Sequence, residues 1–173
     1  ALGRLRKALR GGDLLLASDE ATANSIAREC EELNEERQAM DRRILDECGL
    51  RLDAMDLDAT WGIVLDSSDW HPGVIGIVAS RVVERTGRPA MMIAVKDGVG
   101  KGSGRSIGAF DLHAALLACG DLLVKCGGHR AAAGLTIDAA RIPEFAERFN
   151  ALARERLTAD DLVPRLRTDL ELS

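Results

Sequence analysis

The hydrophobic spacing of this chain changes once, near residue 50, and that change constrains its fold more than any other feature. Before it, Ile26, Cys30, Leu33, Met40, Ile44, Leu45 and Cys48 recur at helical intervals among charged residues. That is the pattern of one long amphipathic helix. It predicts a start near Ser18, a good N-cap residue with Asp19 and Glu20 in the first turn, and an end at Gly49. A basic helix over residues 1–10, closed by Gly11 and Gly12, precedes it. The charged face of the long helix needs no function, because a solvated face has that composition by default.

After a linker at 50–58 the texture alternates between short strands and helices. Strands are predicted over 60–67, 89–96, 100–107 and 132–138, with a turn at Asp97-Gly98. Helices are predicted over 73–87, from Asp111 to Cys119, and over 142–157, with Pro143 in a first turn. "LLACGDLLVKC" reads as helix packing with buried thiols. The fold class is α/β, a small mixed β-sheet flanked by helices, preceded by a long helical linker. Three parts follow: a helical linker at 1–52, a domain at 53–160, and a tail at 161–173 that alternates like the first strand of another unit.

Composition narrows the function. A chain of 173 residues can bury one domain plus an appendage. Its net charge of −5 excludes a generic nucleic-acid coat but permits a local basic groove. With no Tyr, two Trp and three Phe, few bases could stack, so backbone contacts would have to dominate single-strand binding. No apolar run is long enough to span a membrane, and four scattered cysteines suggest a reduced, cytoplasmic protein. The first residue is not Met and lies inside a helical pattern, which suggests a longer parent.

Three stretches could carry chemistry. In "GKGSGRS" (100–106) glycines are frequent for a strand, which suggests close approach by a ligand or another backbone. Lys101, Ser103 and Arg105 would share one strand face, with Ser106 adjacent, as a phosphate cradle; the alternative is a flexible hairpin with solvated charges. A Walker A loop is excluded, because Val95 stands where its first Gly should be and Gly102 where Ser or Thr should be. In "KCGGHRAAAG" (125–134), Gly127 and Gly128 could offer unobstructed amides and His129 a donor to phosphate; the alternative is a structural turn. In "DWHPGVIGIVASR" (69–81), Gly73 would open a helix whose free amides form an anion site, with Trp70 as a core plug otherwise. Cys119, Cys126, His129 and His113 lack the paired spacing of a zinc site, and no Ser-His-Asp order stands out.

Together "LNEERQ" (33–38), "WHPGVIGIVASR" (70–81), "GKGSGRS" and "GGHRAAAG" (127–134) resemble the RecJ-type single-strand-specific 5′-to-3′ exonucleases of the DHH phosphoesterase superfamily. The match is to their DHH-associated domain and the long helix before it. "ALGRL" (1–5) resembles the end of the catalytic DHH domain, and the tail from Val163 the start of an oligonucleotide-binding barrel. The resemblance implies single-stranded DNA as partner, a role in repair and recombination, and manganese or magnesium held by the DHH domain. It also implies site residues. His129 with Gly127 and Gly128 would face the scissile region, and Ser103 and Arg105 would receive the 5′-phosphate. Gln38, Arg81 and Arg4 would touch the backbone. The chain has no Asp-His-His run, so it is expected to be catalytically silent alone. Two other readings stand beside this one: a DHH-family phosphodiesterase acting on short oligonucleotides or cyclic dinucleotides, and a non-catalytic module that holds a partner on its acidic helix 18–48.

Overall fold

The computed structural model describes residues 9–163. A short helix α1 (Leu9–Leu15) packs against a 34-residue helix α2 (Glu20–Asp53). The domain that follows contains β1 (Ile63–Ser67), α3 (Ile75–Thr86), β2 (Ala90–Lys96), β3 (Val99–Arg105), α4 (Leu112–Ala118), β4 (Leu123–Gly128), β5 (Ala132–Asp138) and α5 (Ile142–Arg156). The five strands form one mixed sheet in the order β1-β2-β3-β5-β4, in which only the β1–β2 pair is parallel.

Several boundaries differ from expectation. Gly11 and Gly12 lie inside α1 rather than closing a helix, their propensity cost being outweighed by packing on α2. Asp19, not Ser18, caps α2: its Oδ1 accepts from the Thr22 amide at 2.8 Å, a bond that also holds the carboxyl below its ordinary pKa. Nor does α2 stop at Gly49. It continues one turn, because Leu52 is buried in the same cluster as Ile44 and Cys48, and Arg51 Nη1 donates to the Asp66 carbonyl at 2.7 Å. The largest miss is β4. The helix before it ends at Ala118 and a 3-10 turn follows at Gly120–Leu122. Cys119 is buried as expected and burial pushes its thiol pKa up, but Cys126 is half-buried on a strand.

The two faces of the sheet bury different clusters. α4 and α5 cover one, where Phe145 and Phe149 stack at 5.7 Å and Phe110 meets Phe149 edge-on at 5.8 Å. On the other face, α2 and α3 pack Ile44, Cys48, Val78 and Val82 over Ile63, Leu65 and Met92 of β1 and β2. The predicted Asp97-Gly98 turn is present, with φ of 51° and 77°, and joins β2 to β3 as a two-residue hairpin.

Asn150 ties α5 to the start of β1. Its Oδ1 accepts from the Trp61 and Gly62 amides at 2.7 and 3.1 Å, and its Nδ2 donates to the Ala59 carbonyl at 3.2 Å. Asn150→Ala strands two amides at once and is expected to cost about 2 kcal/mol in urea unfolding. A loss below about 0.5 kcal/mol would show that water replaces the amide side chain.

Candidate functional site

Strand β3 has two chemically unlike faces. Gly100, Gly102 and Gly104 turn towards the α4–α5 core, where a Cβ at Gly100 would lie 2.7 Å from Ile93 Cγ2, one at Gly102 2.8 Å from Leu135 Cγ, and one at Gly104 2.6 Å from Met91 Cε. Side chains of β2 and β5 lean across these positions. The glycine run therefore answers neighbouring side chains and, at Gly104, the Ala90 carbonyl oxygen 3.1 Å from where a Cβ would stand.

Lys101, Ser103 and Arg105 project from the opposite face, as the alternation predicts. Arg105 Nη1 donates to the Gly104 carbonyl at 2.8 Å and lies 3.4 Å from Ser103 Oγ. The first turn of α3 comes down on this pair: a Cβ at Gly76 would stand 2.9 Å from Ser103 Oγ and 3.3 Å from Arg105 Nη2. Helix α3 thus roofs Ser103 and Arg105. Beyond it the β3-β5-β4 part of the face is open, a depression of about 450 Å³ bounded by Pro72, Lys101, Lys125, Gly127, Gly134 and Thr136.

The glycine–histidine stretch closes the β4–β5 hairpin. Gly127 pairs with Gly134 and Gly128 with Ala133, while His129 and Ala132 exchange backbone bonds of 2.8 and 3.2 Å. Ala132 pairs with Arg105, and the Ser106 amide donates to the Ala131 carbonyl at 3.0 Å, so the exposed His129 and the Arg105 end of β3 share one end of the sheet. Arg130 turns instead to the loop before α4, donating to the Gly108 carbonyl at 3.0 Å.

Other expected residues are placed differently. Ser106 donates its hydroxyl to the Phe110 carbonyl at 2.8 Å, bracing a turn. Arg81 is exposed on α3 and pairs with Glu84 at 3.2 Å, and Gln38 is exposed on α2; neither lines the depression. Arg4 lies outside the described residues. The proposed anion site at Gly73 is occupied from within: His71 Nδ1 accepts from the Gly73 amide at 3.0 Å, and the His71 carbonyl accepts from Val74 and Ile75. Trp70 is indeed a core plug, its Nε1 donating to Glu47 at 2.8 Å beneath the Arg51 guanidinium. Lys125 and Thr136 were missed because β4 was missed; the polar Lys125 between Val124 and Cys126 was the available signal. Among the described residues no three His, Cys, Asp or Glu side chains converge in a way that could hold a metal.

This arrangement has a known family. Residues 60–155, from the approach to β1 through most of α5, match the DHHA1 domain, and the chain belongs to that domain family. Its curated relatives are more particular. It is 40% identical to the single-stranded-DNA-specific exonuclease RecJ of Bacillus subtilis over 98% of this chain and 22% of the relative, and 41% identical to that of Thermus thermophilus over 88% and 21%. The Thermus RecJ crystal structure with Mn2+ superposes with a TM-score of 0.79 at 37% identity, covering 89% of this chain and 22% of that one. A second RecJ structure bound to manganese gives 0.78 at 36% identity, covering 92% and 41%. The chain thus spans about a fifth of the length of these two curated relatives.

Proposed function

We propose that this chain is the substrate-binding portion of a cytoplasmic single-stranded-DNA 5′-to-3′ exonuclease of DNA repair and recombination. Ser103 and Arg105 receive the 5′-phosphate, with Lys101 and Ser106 beside them. Gly127, Gly128 and His129 approach the scissile region, and Gln38, Arg81 and Arg4 make outlying backbone contacts. Manganese or magnesium belongs to a DHH domain elsewhere in the parent, which also carries an oligonucleotide-binding barrel. The observation that carries the reading is the alignment of Lys101, Ser103 and Arg105 on one strand face, next to the glycine–histidine hairpin, with the first turn of α3 over Ser103 and Arg105. The names of the RecJ relatives support single-stranded DNA as the ligand.

Fluorescence anisotropy with one oligonucleotide, carrying either a 5′-phosphate or a 5′-hydroxyl, tests this at low salt. The phosphorylated strand is expected to bind about tenfold tighter, the worth of one charge-assisted hydrogen bond, and Arg105→Ala to bring that ratio near one. Equal affinities for both strands in the unaltered protein would remove the terminal phosphate from this site.

A further inference from the structure

Three rungs of the open sheet face carry different chemistry. Arg105 pairs directly with Ala132, which exchanges backbone bonds with His129 at the end of the sheet. Two residues along each strand, Ser103 pairs with Gly134 and Gly134 with Gly127. Two residues further, Lys101 pairs with Thr136 and Thr136 with Lys125. Directly opposed residues of antiparallel strands project to the same face. Successive rungs lie about 7 Å apart, and the outer positions of one rung about 10 Å apart.

The middle rung is bare at two of its three positions. No packing neighbour requires this at Gly127, where nothing lies within 4 Å of a Cβ position. In the third rung both lysines are exposed, and neither is ion-paired among the described residues. No acidic residue bounds the depression, although the chain as a whole carries −5. Its volume of about 450 Å³ lies in the range of clefts that hold small organic groups. No aromatic ring lines it: the chain has no Tyr, its three Phe and Trp70 are buried, and Trp61 packs on the α4–α5 cluster. A base bound here is therefore held by its edge rather than by stacking on a ring.

We propose that this depression receives the base of the 5′-terminal nucleotide, held edge-on by Lys101, Thr136 and Lys125. The inference rests on the function proposed above and leaves the first internucleotide linkage where that reading puts it. The 5′-phosphate sits on Ser103 and Arg105 and the 3′ linkage lies at His129, so the two phosphates flank Ala132. The base between them points inward along the sheet, over Gly134 and Gly127. Both ammonium groups and the Thr136 hydroxyl then meet the base edge remote from the sugar. Lysines only donate, so the pocket favours bases with a carbonyl on that edge. Guanine offers O6 beside N7 and thymine O4, whereas adenine and cytosine turn an amino group towards the cations. The preference is one of degree, because the Thr136 hydroxyl can accept from an amino group.

The test uses the full-length parent protein with divalent metal chelated. Anisotropy titrations compare 5′-phosphorylated strands that differ only in the terminal nucleotide, which carries guanine, cytosine or no base. The unaltered protein is expected to bind the guanine-ended strand about tenfold tighter than the abasic-ended one, with the cytosine-ended strand between them. In Lys101→Met/Lys125→Met the guanine-to-abasic ratio should fall near one. Both substituted positions are exposed, so the fold should persist, which thermal unfolding of the same preparation checks. Equal binding of guanine-ended and abasic-ended strands by the unaltered protein overturns the base pocket. So does a double variant that weakens all three strands by one factor and keeps their ratio, since the lysines then serve the backbone. The same strands with a 5′-hydroxyl separate the two ideas. A phosphate preference that is lost in Arg105→Ala, alongside a base ratio of one, overturns the pocket alone, whereas an absent phosphate preference overturns the reading beneath it.

Discussion

Gly128→Ala is expected to destabilise the fold by at least about 3 kcal/mol and to lower Tm by roughly 6–12 °C. Gly128 holds a φ of 145°, a conformation L residues rarely adopt, at the last pair of the β4–β5 hairpin. A methyl there would lie 2.4 Å from Ala133 Cα and 2.6 Å from the Ala132 carbonyl oxygen. Both obstacles are backbone, so no rotamer change relieves the overlap. The hairpin would have to open, and with it the bonds between His129 and Ala132.

Its neighbour behaves oppositely. Gly127 has no atom within 4 Å of where a Cβ would stand. Gly127→Ala should therefore leave stability within about 1 kcal/mol, with a small gain possible because alanine loses less backbone entropy than glycine in a strand. Its methyl would rise from the floor of the depression, so it should weaken DNA binding without unfolding the protein. The adjacent glycines thus have separate tasks, one set by backbone geometry and one by the open face. Urea unfolding of the two variants side by side checks this. Equal losses would mean that the hairpin, rather than the φ of Gly128, is the fragile element.

Much of this was legible in the sequence, because it depends on periodicity and local chemistry. Helix α5 shows an unbroken 3.6-residue pattern, β2 a continuous apolar run, and the Asp97-Gly98 turn the residues its positive φ values demand. The shared face of Lys101, Ser103 and Arg105 follows from strand alternation once β3 is granted. Strand β4 was not legible. It is an edge strand with a register shift between Leu123 and Lys125, and it ends in two glycines, so no clean alternation survives in six residues. Its membership is decided by pairing with β5, which the residue spacing within β4 does not encode. With it went Lys125 and the partnership of Thr136. The glycines of β3 misled in another way: their frequency was visible, but Met91, Ile93 and Leu135, which require them, lie on neighbouring strands. The end of α2 was hidden for the same reason, since Gly49 reads as a stop only until Leu52 finds its place in the core.

Gly76→Val should weaken binding of a 5′-phosphorylated strand ten- to a hundredfold while changing stability by no more than about 1–2 kcal/mol. Gly76 sits in the first turn of α3, and its missing side chain is what allows Ser103 Oγ and Arg105 Nη2 to occupy the space beneath the helix. Valine suits this helix as well as glycine does, for α3 already carries Val78, Val82 and Val83, and the small propensity gain partly offsets the crowding. The nearest obstacles are the ends of a serine and an arginine, which can swing away, so the fold adjusts by giving up the position of the guanidinium. Losing one or more charge-assisted hydrogen bonds to phosphate then accounts for the fold-change. Gly76 is itself buried, so the loss could not come from a contact that the glycine makes with DNA. Thermal unfolding and anisotropy on the same preparation separate the outcomes. A stable variant with weakened phosphate preference shows that α3 sets the guanidinium in place, while a stable variant that binds normally shows that Arg105 reaches the phosphate from a rotamer independent of the helix above it.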